Sequence, residues 1–223
     1  EAIRLNASVL AVQVFIGSQH ERQSLQNLTN LIDAAARYGI AVMGVVAVGR
    51  AMERTAKYFR MATRLMAELG CHMVKCYHID DGFDTITSCC PVPIVIAGGK
   101  KRPEKDALQM AYDACTQGAS GVDMGRNIFQ ADAPVPMMKA VRGVVHEGMN
   151  ASDAFELYEQ LKAEEESYRT SALTDLSAIE VELSELKATN MFMNWVKDVS
   201  EFLLPNNTGT TPEEFFELMN VAK

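Results

Sequence analysis

Five short apolar runs, rich in β-branched residues, recur along the chain: Ser8–Ile16, Ala41–Val48, Cys71–His78, Val92–Ala97 and Ser120–Met124. Each is followed by a stretch with helical spacing. Leu25, Leu28, Leu31 and Ile32 share one face after the first run, and Ala62, Leu65, Met66 and Leu69 share one after the second. Gly39, Gly70 and Gly118 stand just ahead of later runs, where a helix ends in a left-handed turn. Ser18 and Glu21 form an S-x-x-E capping box, and Pro103 followed by Glu104 and Asp106 fits a first helical turn. Near-continuous apolar strands alternating with helices predict a parallel sheet covered by helices. A β/α barrel and an open doubly wound sheet both meet that description. No G-x-G-x-x-G follows Ile16 or Val48, and the spacing of the runs suits a barrel unit.

Charge divides the chain unevenly. Lys and Arg number 21 against 29 Asp and Glu, a net charge of -8. Residues 165–223 hold eleven of the acidic and four of the basic residues, so residues 1–164 are nearly neutral. The shift marks a boundary between a β/α body, 1–164, and an acidic helical extension, 165–223. In the extension Leu176, Ile179, Leu183 and Leu186 follow a 3-4-3 spacing, and Met191, Phe192, Trp195, Val196, Val199 and Phe202 continue an apolar face. Pro205-Asn206-Asn207 breaks it, and Thr211-Pro212-Glu213-Glu214 starts a last helix. These helices either pack on the body or mediate assembly. The acidic balance argues against nucleic-acid binding, and runs such as Val92–Ala97 are too short to cross a bilayer. No basic flank leads into an apolar stretch of the signal-peptide kind. Five cysteines without a regular framework fit reduced thiols in the cytoplasm. No metal is expected: C-x-x-C and H-x-x-x-H are absent, and Cys71, His72, Cys76 and His78 would alternate between the faces of a strand.

The candidate chemistry sits at strand ends. The fourth run ends Ala97-Gly98-Gly99-Lys100-Lys101 and the fifth ends Asp123-Met124-Gly125-Arg126-Asn127. Gly98, Gly99 and Gly125 let backbone N–H groups approach phosphate oxygens, and Arg126 adds a bidentate cation. Each alone reads first as a tight turn; two on consecutive strand ends shift the balance toward phosphate. Lys75 interrupts the third run, His72-Met73-Val74-Lys75-Cys76-Tyr77. Either its head snorkels to solvent, or it lies in a barrel interior. Desolvation there would favour the neutral amine that adds to a ketone. Tyr77, two residues on, points to the same face and offers a phenol for imine polarisation or proton transfer. His20 and His146 fall on helical segments and read as surface residues, whereas His78 ends the lysine strand.

The H-M-V-K-C-Y around Lys75, P-V-P-I-V-I-A-G-G-K-K (Pro91–Lys101) and G-A-S-G-V-D-M-G-R-N-I-F-Q (Gly118–Gln130) resemble the DeoC/FbaB class I aldolase family. Gln13–Ser18 and Pro134–Val141 fit as well, so the likeness runs from about Glu1 to about Ala163. Within the family it is greatest to the 3-hydroxy-5-phosphonooxypentane-2,4-dione thiolases of autoinducer-2 breakdown. The resemblance implies a TIM-type (β/α)8 barrel of which the last five units are apparent, residues 1–164 being a partial aldolase-like barrel. It implies that Lys75 is the Schiff-base lysine and that Gly98, Gly99, Gly125 and Arg126 hold a substrate phosphate. The implied reaction passes acetyl from the phosphorylated dione to coenzyme A and leaves dihydroxyacetone phosphate. Coenzyme A is a co-substrate in it, and no bound cofactor is expected. The implied setting is a cytoplasmic homo-oligomer, often decameric. A fructose-bisphosphate aldolase-type lyase and a truncated, non-catalytic assembly module remain the alternatives. The aromatic residue before Ile-Gly-Ser is commonly Tyr in the family; here it is Phe15, which has no proton to give. The extension 165–223 matches nothing in the family.

Overall fold

The computed structural model describes residues 1–47 and 53–188, the side chains of 182–188 excepted. Val48 and the tail segments beyond 188 lie outside the described residues. Strands β1 (Val9–Val14), β2 (Ala41–Val46), β3 (Met73–Tyr77), β4 (Ile94–Ala97) and β5 (Gly121–Asp123) form one sheet. Helices α1 (Glu21–Ala36), α2 (Ala56–Glu68), α3 (Phe83–Cys89) and α4 (Glu104–Thr116) connect them, and α5 (Arg126–Phe129), α6 (Pro134–Glu147) and α7 (Ala151–Ala188) follow. The chain divides into two compact units, Glu1–Lys162 and Ala163–Lys223.

Strand order is β1-β2-β3-β4-β5, and every neighbouring pair is parallel. Right-handed crossovers between strands taken in sequence order place all connecting helices on one side of the sheet. A doubly wound sheet would reverse its order partway and cover both faces. The monotonic order therefore makes this an arc of a β/α barrel. Burial records the same asymmetry. Val42, Val46, Val74, Cys76, Ile94 and Ile96 are fully or nearly fully buried, in one core cluster with Leu28, Phe59 and Met66 from the helices. The alternate residues Val45, Lys75, Tyr77, Val95 and Ala97 are only half-buried, on the face that bears no helix.

Local signals act much as the sequence predicts. Gly39, Gly70 and Gly118 have φ of +66°, +105° and +96°, and the chain turns from helix into strand at each. Thr55 caps α2, its hydroxyl accepting from Tyr58 N–H at 3.2 Å. The capping box at α1 is displaced by one residue. The Ser18 hydroxyl accepts from His20 N–H at 3.1 Å, while the Glu21 carboxylate accepts from Gly17 N–H rather than from Ser18. Gly17, at φ +80°, turns its N–H toward that carboxylate. In the second unit Tyr168, Leu173, Leu176 and Ile179 are exposed on α7.

Candidate active site

Lys75 leaves the middle of β3 on the helix-free face and enters a cavity of about 460 Å³. Register places it. Gln13, Val45, Lys75, Val95 and Gly121 are successive partners across the five strands, and Tyr77, Ala97 and Asp123 form the next row toward the strand ends. The small Ala97 stands between the lysine and β5. Lys75 Nζ lies 2.8 Å from Asp123 Oδ2, with the lysine side chain 22% and the aspartate 46% exposed. The amine is thus partly sheltered, and it carries a carboxylate partner rather than a purely apolar surround.

The two glycine turns line the same cavity as Lys75: Gly98 and Gly99 after β4, and Gly125 and Arg126 after β5. They are tied to each other by Asn127, which is fully buried. Its Nδ2 donates to the Gly98 carbonyl at 2.7 Å, and its Oδ1 accepts from the Arg102 N–H at 2.8 Å. Gly98 is required sterically: a Cβ there would lie 2.9 Å from Asn127 Nδ2 and 3.0 Å from Met124 Cγ. Gly99 is required conformationally, with φ of +68°.

Phe15 lines the cavity and is held through its backbone: its N–H donates to Ser24 Oγ at 3.0 Å and its carbonyl accepts from Ser18 Oγ at 2.9 Å. Tyr77 lines the cavity too, with the Arg54 guanidinium 3.9 Å from its ring centroid. His78 faces away from the lysine, its ring 4.9 Å from that of Phe83. Burial pushes its imidazole below the ordinary range; Asp113 and Asp80 oppose this and Arg102 adds to it. His20 and His146 are exposed.

Cys76 adjoins Lys75 in sequence but turns into the core, 1% exposed. Burial, with Cys90 nearby, pushes its thiol up to about 12, and burial pushes Cys71 to about 11. Neither offers a thiolate near neutral pH. Among the described residues no group of three or more His, Cys, Asp or Glu is arranged to hold a metal ion, and no helix is long and apolar enough to cross a membrane.

The structure therefore brings Lys75, Tyr77, Gly98, Gly99, Gly125 and Arg126 around one cavity. Sequence reasoning missed Asp123 and Asn127. Both stand inside the Gly118–Gln130 motif, but their partners lie on another strand and another loop. Only the register of β3, β4 and β5 could have paired them.

Comparison with known proteins places this arrangement. The chain is 56% identical over 158 residues to an uncharacterized aldolase of Pasteurella multocida, and 55% identical over the same length to a 3-hydroxy-5-phosphonooxypentane-2,4-dione thiolase of Yersinia pestis. Each match covers 71% of this chain and 54% of the relative, so the chain spans about half the length of these relatives. Among solved structures, a fructose-bisphosphate aldolase from Slackia heliotrinireducens superposes with a TM-score of 0.63 at 24% identity, covering 71% of this chain and 56% of that one. An archaeal fructose 1,6-bisphosphate aldolase gives 0.61 at 23%, covering 65% and 60%. These two carry the fold, an arc of the aldolase barrel. The description "DeoC/LacD family aldolase" matches residues 1–131, and the chain belongs to that family.

Proposed function

We propose that this chain is the lysine-bearing part of a class I, imine-forming enzyme. It cleaves 3-hydroxy-5-phosphonooxypentane-2,4-dione, passes the acetyl group to coenzyme A and releases dihydroxyacetone phosphate. One observation carries the reading: the Lys75 amine stands 2.8 Å from the Asp123 carboxylate in the cavity that both glycine turns line. The relatives bearing the thiolase name, at 55% identity, support the choice of substrate.

In this reading the N–H groups of Gly98, Gly99 and Gly125, with Arg126, hold the phosphate and so direct the adjacent C4 ketone to Lys75. Asp123 takes a proton from the ammonium, and the amine adds to C4 and loses water to give an iminium ion. The thiol of coenzyme A adds to the C2 carbonyl. The C2–C3 bond then breaks, and its electron pair passes into the iminium. The products at that point are the acetyl thioester and an enamine on Lys75. Protonation at C3 by the Tyr77 phenol, which regains the proton that the thiol gave up, and hydrolysis of the imine release dihydroxyacetone phosphate. Phe15 has no proton to give, so this role falls to Tyr77. No protein thiol enters, because Cys76 stays buried and protonated. Three further β/α units close the barrel over the helix-free face, since a five-stranded arc cannot close alone. The reading includes a phosphorylated small-molecule substrate, no bound cofactor, and a cytoplasmic homo-oligomer, decameric as in the family. Light scattering measures the last of these.

Borohydride trapping tests the proposal. Incubation with dihydroxyacetone phosphate, reduction and digestion should give added mass on the Lys75 peptide, suppressed by inorganic phosphate. An equal adduct in Lys75→Ala would refute it. A non-catalytic assembly role has one feature in its favour, the outer edges of β1 and β5, which no strand pairs among the described residues. Defined oligomers without any adduct would select that role.

A further inference from the structure

Beyond the Lys75 cavity lie two more, strung along the strand ends. A cavity of about 380 Å³ shares Tyr77, Gly98, Gly99 and Arg126 with the first. A third, about 670 Å³, shares Arg54, His78 and Arg102 with the second and runs out along the start of α2 past Lys57. Ligand pockets for small molecules occupy roughly 300–1,000 Å³. A five-carbon phosphate needs only the first cavity.

The middle cavity is cationic. Arg54, Lys100, Arg102 and Arg126 line it, and no carboxylate does. Among the described residues none of these four has an ion-pair partner, whereas the neighbouring Lys101 is paired with Glu104. Arg126 is assigned to the substrate phosphate, which leaves three converging cations without a role. The Arg54 guanidinium lies over the Tyr77 ring, 3.9 Å from its centroid. His78 lines the same cavity, and its Nε2 is buried with no hydrogen-bond partner. The outer cavity is mixed, with Arg54, Lys57 and Arg102 facing Asp80 and Asp81. All these residues belong to the β2, β3 and β4 connections and to α4 and α5, so the groove is built by strands this chain contains.

We propose that this groove binds the phosphate-bearing end of the acyl acceptor, a nucleotide-linked thiol, with its thiol reaching the Lys75 cavity. The inference rests on the acyl-transfer reading. A second phosphoryl group is the chemistry that three converging cations without an ion-pair partner among the described residues recognise, and the length of the groove favours an elongated acceptor over the far phosphate of a bisphosphorylated sugar.

The test is calorimetric titration of coenzyme A into the 223-residue protein and into Arg54→Gln/Arg102→Gln. Affinity should fall about tenfold for each guanidinium removed. Lys139→Gln, on the exposed face of α6, should leave it unchanged. Adenosine 3′,5′-bisphosphate should displace coenzyme A without suppressing the dihydroxyacetone phosphate adduct on Lys75. Both arginines are exposed, so the double variant should melt with the parent. Lys57→Gln gives an independent, smaller loss from the outer cavity. Unchanged coenzyme A affinity in the double variant, or no binding while the Lys75 adduct forms, would overturn the groove and leave the lysine reading standing. Binding that depends on the arginines with no adduct would do the reverse. Loss of fructose 1,6-bisphosphate binding alone in the double variant would assign the cations to a sugar phosphate and also overturn the proposal.

Discussion

Replacing Asn127 tests how the candidate site is held together. The side chain is fully buried and ties α5 to the β4–α4 loop, donating to the Gly98 carbonyl at 2.7 Å and accepting from the Arg102 N–H at 2.8 Å. Asn127→Ala deletes both bonds and leaves a carbonyl and an N–H of the β4–α4 loop without that partner. Each bond is worth about 0.5–1.5 kcal/mol net, and each group left buried and unpaired costs about 1–3 kcal/mol, so a loss of about 2–4 kcal/mol is expected. Asn127→Asp separates the two ends. The oxygen facing Arg102 keeps its donor, but the other end sets a carboxylate oxygen against the Gly98 carbonyl, so this variant should lose at least as much. Urea midpoints for the three proteins measure the stability change. Half-saturation of the dihydroxyacetone phosphate adduct measures the site, and should rise about tenfold as the Gly98–Gly99 turn loosens from Arg126. An alanine variant within about 0.5 kcal/mol of the parent, with unchanged half-saturation, would show that Asn127 does not brace the turns.

Three other outcomes follow from the same geometry. Asp123→Asn should slow imine trapping at Lys75 about 100-fold, as loss of a proton acceptor does, while a pair this exposed contributes under about 1 kcal/mol to stability. Equal trapping rates would remove Asp123 from the chemistry. Gly44→Ala should destabilise by about 1–3 kcal/mol in urea, because the new Cβ would lie 2.7 Å from Met66 Sδ and 2.8 Å from Cys71 Sγ; an unchanged midpoint would refute that packing. His78 has its folded-state value lowered by burial, so its contribution is intact above the ordinary histidine value near 6.5 and is lost as pH falls through that value toward the folded one. Urea midpoints of His78→Gln should therefore depend less on pH below about 6.5 than those of the parent.

The strands were legible because a barrel buries one face of every strand under helices and half-covers the other, leaving apolar runs without strict alternation. The helix ends were legible because glycine at positive φ has few substitutes. The candidate site was legible residue by residue, since Lys75, Tyr77 and the glycine turns each carry a local oddity. Its connections were not. The Lys75–Asp123 pair spans 48 positions of sequence, and the Asn127 brace reaches back across β5 and α4 to Gly98 and Arg102. Neither sits at a helical or strand spacing, so no periodicity contains them. The cationic groove was missed for the same reason: Arg54 and Arg102 look like ordinary loop charges until β2, β3 and β4 set their ends side by side.

Strand parity links core, lysine and reaction. On β3, Val74 and Cys76 are at most 1% exposed among the helices, and Lys75 between them is 22% exposed on the opposite face. A slip of one residue would drive an ammonium into the α2–α3 side of the core and turn two apolar side chains toward the cavity, at a cost no local hydrogen bond could offset. The register that builds the core thus also delivers the amine to Asp123. It removes Cys76 from the chemistry by the same step, holding a thiol beside the lysine in sequence but on the wrong face. An acyl transfer at this site therefore needs a thiol from outside the protein, and an outside thiol needs a route in. The groove past Tyr77, Arg54 and Arg102 meets the Lys75 cavity at Tyr77, Gly98, Gly99 and Arg126, and so leads to the face that parity gave the lysine.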